Sequence, residues 1–509
     1  VTIPDSVTHI GNSAFSDCGI TNITIPGSVK SIGNHAFNSC ENLESVIISE
    51  GVKSIDTGAF SKSENLKSVT LPDSITTIAD ALFYGCDGLT SITIPDSVTS
   101  IGESAFDYCG LASITIPDSV TSIGDRVFVN CKSLESIKVD PSNPEYSSDE
   151  HGVLFNKEKT ELIQYPIGNG NESYIIPDSV TIIDNYAFSC CECLASITTP
   201  NSVTSIGDGA FSSCSSLENA TIPDSVTSIG DRVFFNCQML ESIKVDSSNS
   251  AYSSDEHGVL FNKEKTKLIQ YPLGNEKESY EIPDSVISIG DNAFNGCNNI
   301  ARVTIPDSVT SIGGGAFSFC FALKSITIPD SVTTIGYSAF WDCDSLQYIH
   351  LPTTITEIGD DVPSWTKAYI CAETDDCYAK TYAEKHGIKF KVCNGIHDEN
   401  LPEIITDKCG DNLIWTLNTP KGELVISGTG DMWEFDGETP WYPYRSLIES
   451  VAVEEGATSI CNRAFAWCSN IETATLPDSL VTIGGYAFMG CENLETLTLG
   501  KGIETIGEG

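Results

Sequence analysis

Apolar residues return along this chain in a phrase of about 23 positions. From Leu217 it reads LENATIPDSVTSIGDRVFFNC, with Leu217, Ala220 and Ile222 at offsets 0, 3 and 5. Apolar positions alternating with polar ones over so short a run predict a strand with one face turned inward. Pro223 then denies the ladder a donor, while Asp224 and Ser225 supply side-chain acceptors for a turn. Val226 and Ile229 point inward again and Gly230 permits a tight bend. Val233, Phe234 and Cys237 pack a return segment that is expected to form a short helical turn. One phrase closes one coil.

The anchoring residue recurs fifteen times between Ile3 and Leu351, and again at Val453, Leu476 and Leu499. A fixed period of this length marks stacked units, none of which buries its apolar face alone. At the interstrand spacing, fifteen coils make an array roughly 70 Å long. Function is therefore expected on a long repeated surface and not in one central pocket.

The LxxLxL run with its turn and return segment resembles the BspA-type leucine-rich repeat of mucosal and gut bacterial surface proteins and of some protozoan parasites. The resemblance implies a right-handed leucine-rich-repeat solenoid with a short parallel strand plus turn or short helix per coil. At family level it implies adhesion to host proteins or other cells. One departure is Ser, Ser225 in this unit, where the general leucine-rich pattern has Asn or Cys.

The array expected over residues 1–365 has two long rungs with hairpin insertions near 140–175 and 246–281. Each carries EHGVLFNKEKT followed by LIQYP, two apolar runs around a turn. Phe155, Tyr165, Phe261 and Tyr271 are either exposed recognition residues or packing for the hairpin, and the packing reading is preferred. The phrase fails after Trp365. TDDCYAKTYAEKHG then predicts a helix with Thr374 or Asp375 as N-cap and Gly387 just past its end, within a closing cap over 366–393. A polar linker is expected over 394–407 and a β-rich lead-in module over 408–450, with strands at NLIWTL and ELVISG. A second array runs from 451 to 509. Cap and lead-in module resemble segments that flank such arrays in the same family, and the tandem arrangement favours a bacterial exported protein. The chain opens and closes in mid-phrase, so both ends are expected to continue into a longer protein.

With 27 Lys and Arg against 70 Asp and Glu, the net charge of −43 opposes contact with phosphate backbones, and nucleic acid is not an expected partner. No apolar run approaches the roughly 18 residues a bilayer span needs. Thirteen of the 20 Cys occupy one repeat position, and Ser63 replaces it once. A recurring position that tolerates Ser reads as a buried, unpaired ladder residue. Cys371, Cys377, Cys393 and Cys409 lie outside the ladder, and a Cys371–Cys377 bridge is the pairing preferred there. Cys190, Cys191 and Cys193 lack a second metal-ligand pair, so no metal is expected. The Asp of the recurrent PDS turn supplies too few oxygens per rung for Ca²⁺. The seven His are scattered over different rungs, with His151 and His257 equivalent in the two hairpins and read as duplicated scaffold. No catalytic constellation and no cofactor are expected.

The outward strand positions are mostly Ser and Thr, as at Ser113 and Thr115. Lys138, Lys244, Arg302, Tyr348 and His350 break these columns, and Phe319 and Trp341 lie on return segments nearby. These seven residues form the candidate binding face, because aromatic and cationic side chains exposed together concentrate binding energy. The reading is a non-catalytic, secreted or cell-surface adhesion protein making multivalent contacts with surface proteins or glycoproteins of a host or neighbouring cell. Two alternatives are an accessory binding region of a larger surface hydrolase or transglutaminase-like enzyme, and a structural spacer.

Overall fold

The computed structural model describes residues 2–360, 369–374, 377–392, 404–435, 439–445 and 447–508. The 23-residue phrase makes one coil with three sides, each joined to the next coil by a hydrogen-bonded ladder. On the first side, strands such as Asn22–Ile25 and Ser45–Ile48 pair parallel and in register, alternating outward and buried residues. On the second, two-residue strands such as Ser31–Ile32 and Ser54–Ile55 do the same. The turn between them uses Ser differently from the expectation. Ser225 Oγ donates to the Val203 carbonyl of the preceding coil at 2.6 Å, and Ser119 to Val98 at 2.7 Å, so this residue ties coils together.

The third side corrects the expected helical turn. It contains a chain of turns with two residues in the left-handed region per coil, such as His35 at φ 53° and Ser39 at φ 56°. That conformation turns alternate N–H groups along the solenoid axis. His35, Phe37 and Ser39 donate to the carbonyls of Thr57, Ala59 and Ser61 in the next coil at 2.7–3.0 Å. A helix would consume those donors within its own coil.

Inside, the Phe rings stack in a column from Phe15 through Phe37, Phe60, Phe83 and Phe106 to Phe128, with centroids 5.1–6.0 Å apart. The ladder thiols are unpaired, as expected. Cys86 Sγ donates to the Phe60 carbonyl at 3.2 Å and Cys109 to Phe83 at 3.1 Å. Ser63 Oγ makes the same bond to Phe37 at 3.1 Å, which is why Ser is tolerated there.

Each insertion is a three-stranded meander, Tyr146–Ser148, Leu154–Asn156 and Glu161–Gln164 in the first copy. Its last strand takes the second-side place and pairs parallel with Ile182–Ile183. Phe155, Tyr165, Phe261 and Tyr271 are all buried, so the packing reading holds. Tyr165 and Tyr271 each restart the ring column, stacking on Phe188 at 5.3 Å and Phe294 at 5.2 Å.

The cap strand Tyr369–Ala372 pairs parallel with Tyr348–His350. Helix α1, Tyr378–His386, ends as expected at Gly387 with φ 69°, but its N-cap is Cys377 and not Thr374, while Asp375 falls outside the described residues. The Cys371–Cys377 bridge is not formed. Cys377 Sγ donates to the Thr374 carbonyl at 3.1 Å, while Cys371 Sγ lies 3.6 Å from His350 Nδ1. Cys409 forms no disulfide either, and Cys393 falls outside the described residues.

Residues 404–407, expected as the end of the linker, belong to strand Ile404–Lys408. That strand pairs antiparallel with Leu413–Asn418, and Leu413–Asn418 with Glu423–Gly428. Glu423–Gly428 pairs parallel with Ser450–Val453, so the sheet runs on into the second array. There Trp441 heads the ring column, stacked 5.9 Å from Phe465 with its indole N–H donating to the Ala464 carbonyl at 2.8 Å.

Candidate functional site

The ladder thiols are poor nucleophiles, because burial pushes Cys86, Cys131 and Cys237 up to about 12. Cys190, Cys191 and Cys193 do not converge. Cys191 is buried in the ladder, Cys190 Sγ donates to Asn130 Oδ1 at 3.3 Å, and Cys193 is exposed. No group of three metal-ligating side chains occurs among the described residues. No helix among them is long and apolar enough to cross a membrane.

The first side of the solenoid, with its outward Ser and Thr, is where the surface acquires individuality. At each insertion the loop after the first meander strand wedges into this side. Ile137 N–H donates to the Gly152 carbonyl at 3.0 Å and Ile243 to Gly258 at 3.0 Å. Only glycine fits there, since a Cβ on Gly258 would stand 2.5 Å from Ser242 Cβ and its φ is +73°. Asp255 fixes the loop: its Oδ1 accepts from the N–H groups of His257 and Val259 at 3.0 and 2.9 Å, and its Oδ2 from Tyr280 Oη at 2.6 Å. Asp149 does the same in the first copy, with Tyr174 Oη at 2.8 Å. The strand ladder is thereby interrupted between Ser136–Val139 and Ser173–Ile175.

Beyond the second loop lies a groove of about 710 Å³, with Glu256, His257, Lys265, Lys277, Ser279 and Glu281 in its walls. Ser279 pairs in register with Arg302, which therefore stands one strand further on. Lys244 is exposed on the strand that precedes the loop. The first copy has Asn171, Ile175 and Ser196 where the second has Lys277, Glu281 and Arg302. The two insertions share a scaffold, and around the groove these three charged groups distinguish the second, whereas Lys267 and Glu276, in place of Glu161 and Gly170, are not among its walls.

Five of the seven candidates lie on this side, and three of them, Lys138, Lys244 and Arg302, are exposed. Tyr348 is half-buried and stacks on Tyr369 at 5.7 Å. His350 is a correction. It is 2% exposed because the cap strand lies alongside it, with Cys371 directly opposite. Phe319 and Trp341 belong to the third side, so they do not join Arg302 in one face. Sequence reasoning missed Lys277, Glu281 and the groove role of His257. The differences between the two near-identical insertions carried that signal.

A buried carboxylate lies on the third side where the first insertion begins. Asp107 is fully buried, accepts from Asn130 Nδ2 at 3.1 Å, and has Arg126 Nη2 3.7 Å from Oδ2. Burial pushes its pKa up to about 6, against the lowering pull of Asn130 and Arg126. Between the ordinary unfolded carboxylate value near 4 and about 6, the folded chain holds more protons, so this group's contribution to stability falls as pH rises through that window. Asp107→Asn is expected to stabilise the first array at pH 7 by about 1–3 kcal/mol and to have a much smaller effect at pH 4.5. Urea titration of both proteins at the two pH values checks this.

Against this geometry, the sequence profile of the BspA type leucine rich repeat region matches residues 1–88, 57–151, 168–272, 274–367 and 442–509. The chain belongs to the BspA-type leucine-rich repeat family. Similar solved structures include a leucine-rich repeat protein from Eubacterium ventriosum, at 29% identity and TM-score 0.49 over 64% of this chain and 84% of that one. A second, from Bacteroides ovatus, shares 28% identity with TM-score 0.38 over 73% and 91%. A leucine rich cell surface protein from Faecalibacterium prausnitzii shares 24% identity with TM-score 0.36 over 71% and 87%. No curated protein matches. The BspA-type profile covers both arrays apart from residues 152–167 of the first insertion and residue 273 of the second.

Proposed function

We propose that this BspA-type chain is a non-catalytic binding protein, exported and displayed on a bacterial surface, that engages surface proteins or glycoproteins of a host or neighbouring cell. The observation that carries the reading is the second insertion, where a shared scaffold has gained Lys277, Glu281 and Arg302 around an open groove. A uniform Ser and Thr column encodes little specificity, whereas a groove with fixed charges discriminates among partners. Contacts repeated along the array then add avidity.

The test is binding of the full chain to immobilised mucosal glycoproteins and matrix proteins. Giving the groove the first copy's residues, by Lys277→Asn, Glu281→Ile and Arg302→Ser together, is expected to weaken binding about tenfold. Removing whole coils away from the groove should lower it gradually. Unchanged binding in both variants would refute the reading.

A further inference from the structure

The third side of the coils over residues 313–345 carries an aromatic surface that the repeat phrase does not require. Tyr337 is 61% exposed, and Trp341 and Phe321 are 39% exposed. Phe319 lies between the latter two, its ring centroid 5.5 Å from Trp341 and 6.2 Å from Phe321. These rings are held in place. The Tyr337 ring lies against Gly314 of the preceding coil, where a Cβ would stand 2.8 Å from Tyr337 Cε1. Phe319 has φ 58°, an uncommon conformation for a bulky residue, and its N–H donates to the Trp341 carbonyl at 2.8 Å. Other coils put Asp17, Ser39, Asn130 or Ser213 at that left-handed position, and two carry Tyr108 and Trp467 there.

Carboxylates outnumber cations around the rings. Residues 303–360 contain six Asp or Glu and one Lys, Lys324, and at the edge of this stretch Lys385 and His386 of α1 lie 4.0 and 3.9 Å from Asp360. Lys324 directly precedes strand Ser325–Thr327 on the first side, whereas Asp342 and Asp344 follow Trp341 by one and three positions on the third. We propose that this surface is a docking site for a positively charged polypeptide segment, an extended stretch of another protein rich in Arg and Lys. A guanidinium stacks on an exposed ring face and pairs with a neighbouring carboxylate. The surrounding acidic field attracts such a segment and repels sulfated or phosphorylated partners. This site is independent of the charged groove on the first side.

Fluorescence anisotropy of a short labelled peptide of alternating Arg and Gly, titrated with the full chain, tests the assignment. Tyr337→Ala with Trp341→Ala is expected to weaken binding about tenfold. Tyr337→Phe with Trp341→Phe should retain it, which separates loss of the rings from loss of folding. Asp342→Asn with Asp344→Asn should weaken binding, while Asp96→Asn with Asp118→Asn, the same charge removed from exposed turns elsewhere, should not. The groove variant described above should bind the peptide normally, so failure of either reading leaves the other standing. Equal loss in the two Asn pairs, or no loss on removing the rings, would reduce the attraction to net charge and overturn the proposal. So would binding of a neutral oligosaccharide, and not the peptide, at these rings.

Discussion

Asn249→Ala is expected to destabilise the second insertion by about 3–4 kcal/mol and to abolish the groove, because this one amide serves four backbone groups. Asn249 is fully buried. Its Nδ2 donates to the carbonyls of Pro223 and Val226 at 2.6 and 2.9 Å, and its Oδ1 accepts from Ala251 and Tyr252 N–H at 2.8 Å each. Alanine leaves these groups without partners at the point where the chain leaves the coil to build the meander. Loss of the meander would carry away Asp255, and with it the loop that makes one wall of the groove. Hydrogen exchange should show protection lost over residues 246–281 while coils near residue 60 keep theirs. Asn143, with the same bonds in the first insertion, is expected to behave alike there. Uniform loss of protection along the chain would contradict this account.

Phe60→Ala is expected to cost about 3–5 kcal/mol, the range for removing a buried aromatic ring from a packed core. The ring is fully buried between Phe37 and Phe83, with centroids 5.3 and 6.0 Å away. Its coil cannot collapse onto the gap, because the Phe60 N–H is bonded to the Leu82 carbonyl of the next coil at 3.1 Å. In an array where each coil touches only its neighbours, the damage should stay local. The core is further divided at the insertions, since Phe128 ends one ring column and Tyr165 starts another. Denaturation should therefore lose two-state character, with residues 30–110 unfolding before the coils beyond the first insertion. A single cooperative transition at lower denaturant would show tighter coupling between the segments than the ring columns suggest.

The seven residues chosen from the sequence as a binding face divide instructively. Arg302 stands in one outward column and Lys138 and Lys244 in the other, both defined by strand alternation, which is a local property, so their exposure was legible. His350 shares the column of Lys138 and Lys244 and is buried, because burial there depends on which strand arrives beside it. That strand, Tyr369–Ala372, does not carry the repeat phrase. Phe319 and Trp341 were placed near Arg302 through proximity in sequence, yet the coil turns a corner between them. The groove was not legible either. It exists only because a loop held by Asp255 and Tyr280 enters the strand side, and those two residues are 25 positions apart.

The sequence by itself determined the coil: its period, its inward residues, the Cys ladder, the outward Ser and Thr columns, and the sites of the insertions. All of these follow from side-chain patterns repeated within a single phrase. Only the tertiary structure decided the turn-built third side, the buried His350, the charged groove and the aromatic surface. Each of these depends on partners one or more coils away, and stacking places such partners at positions that no single phrase encodes.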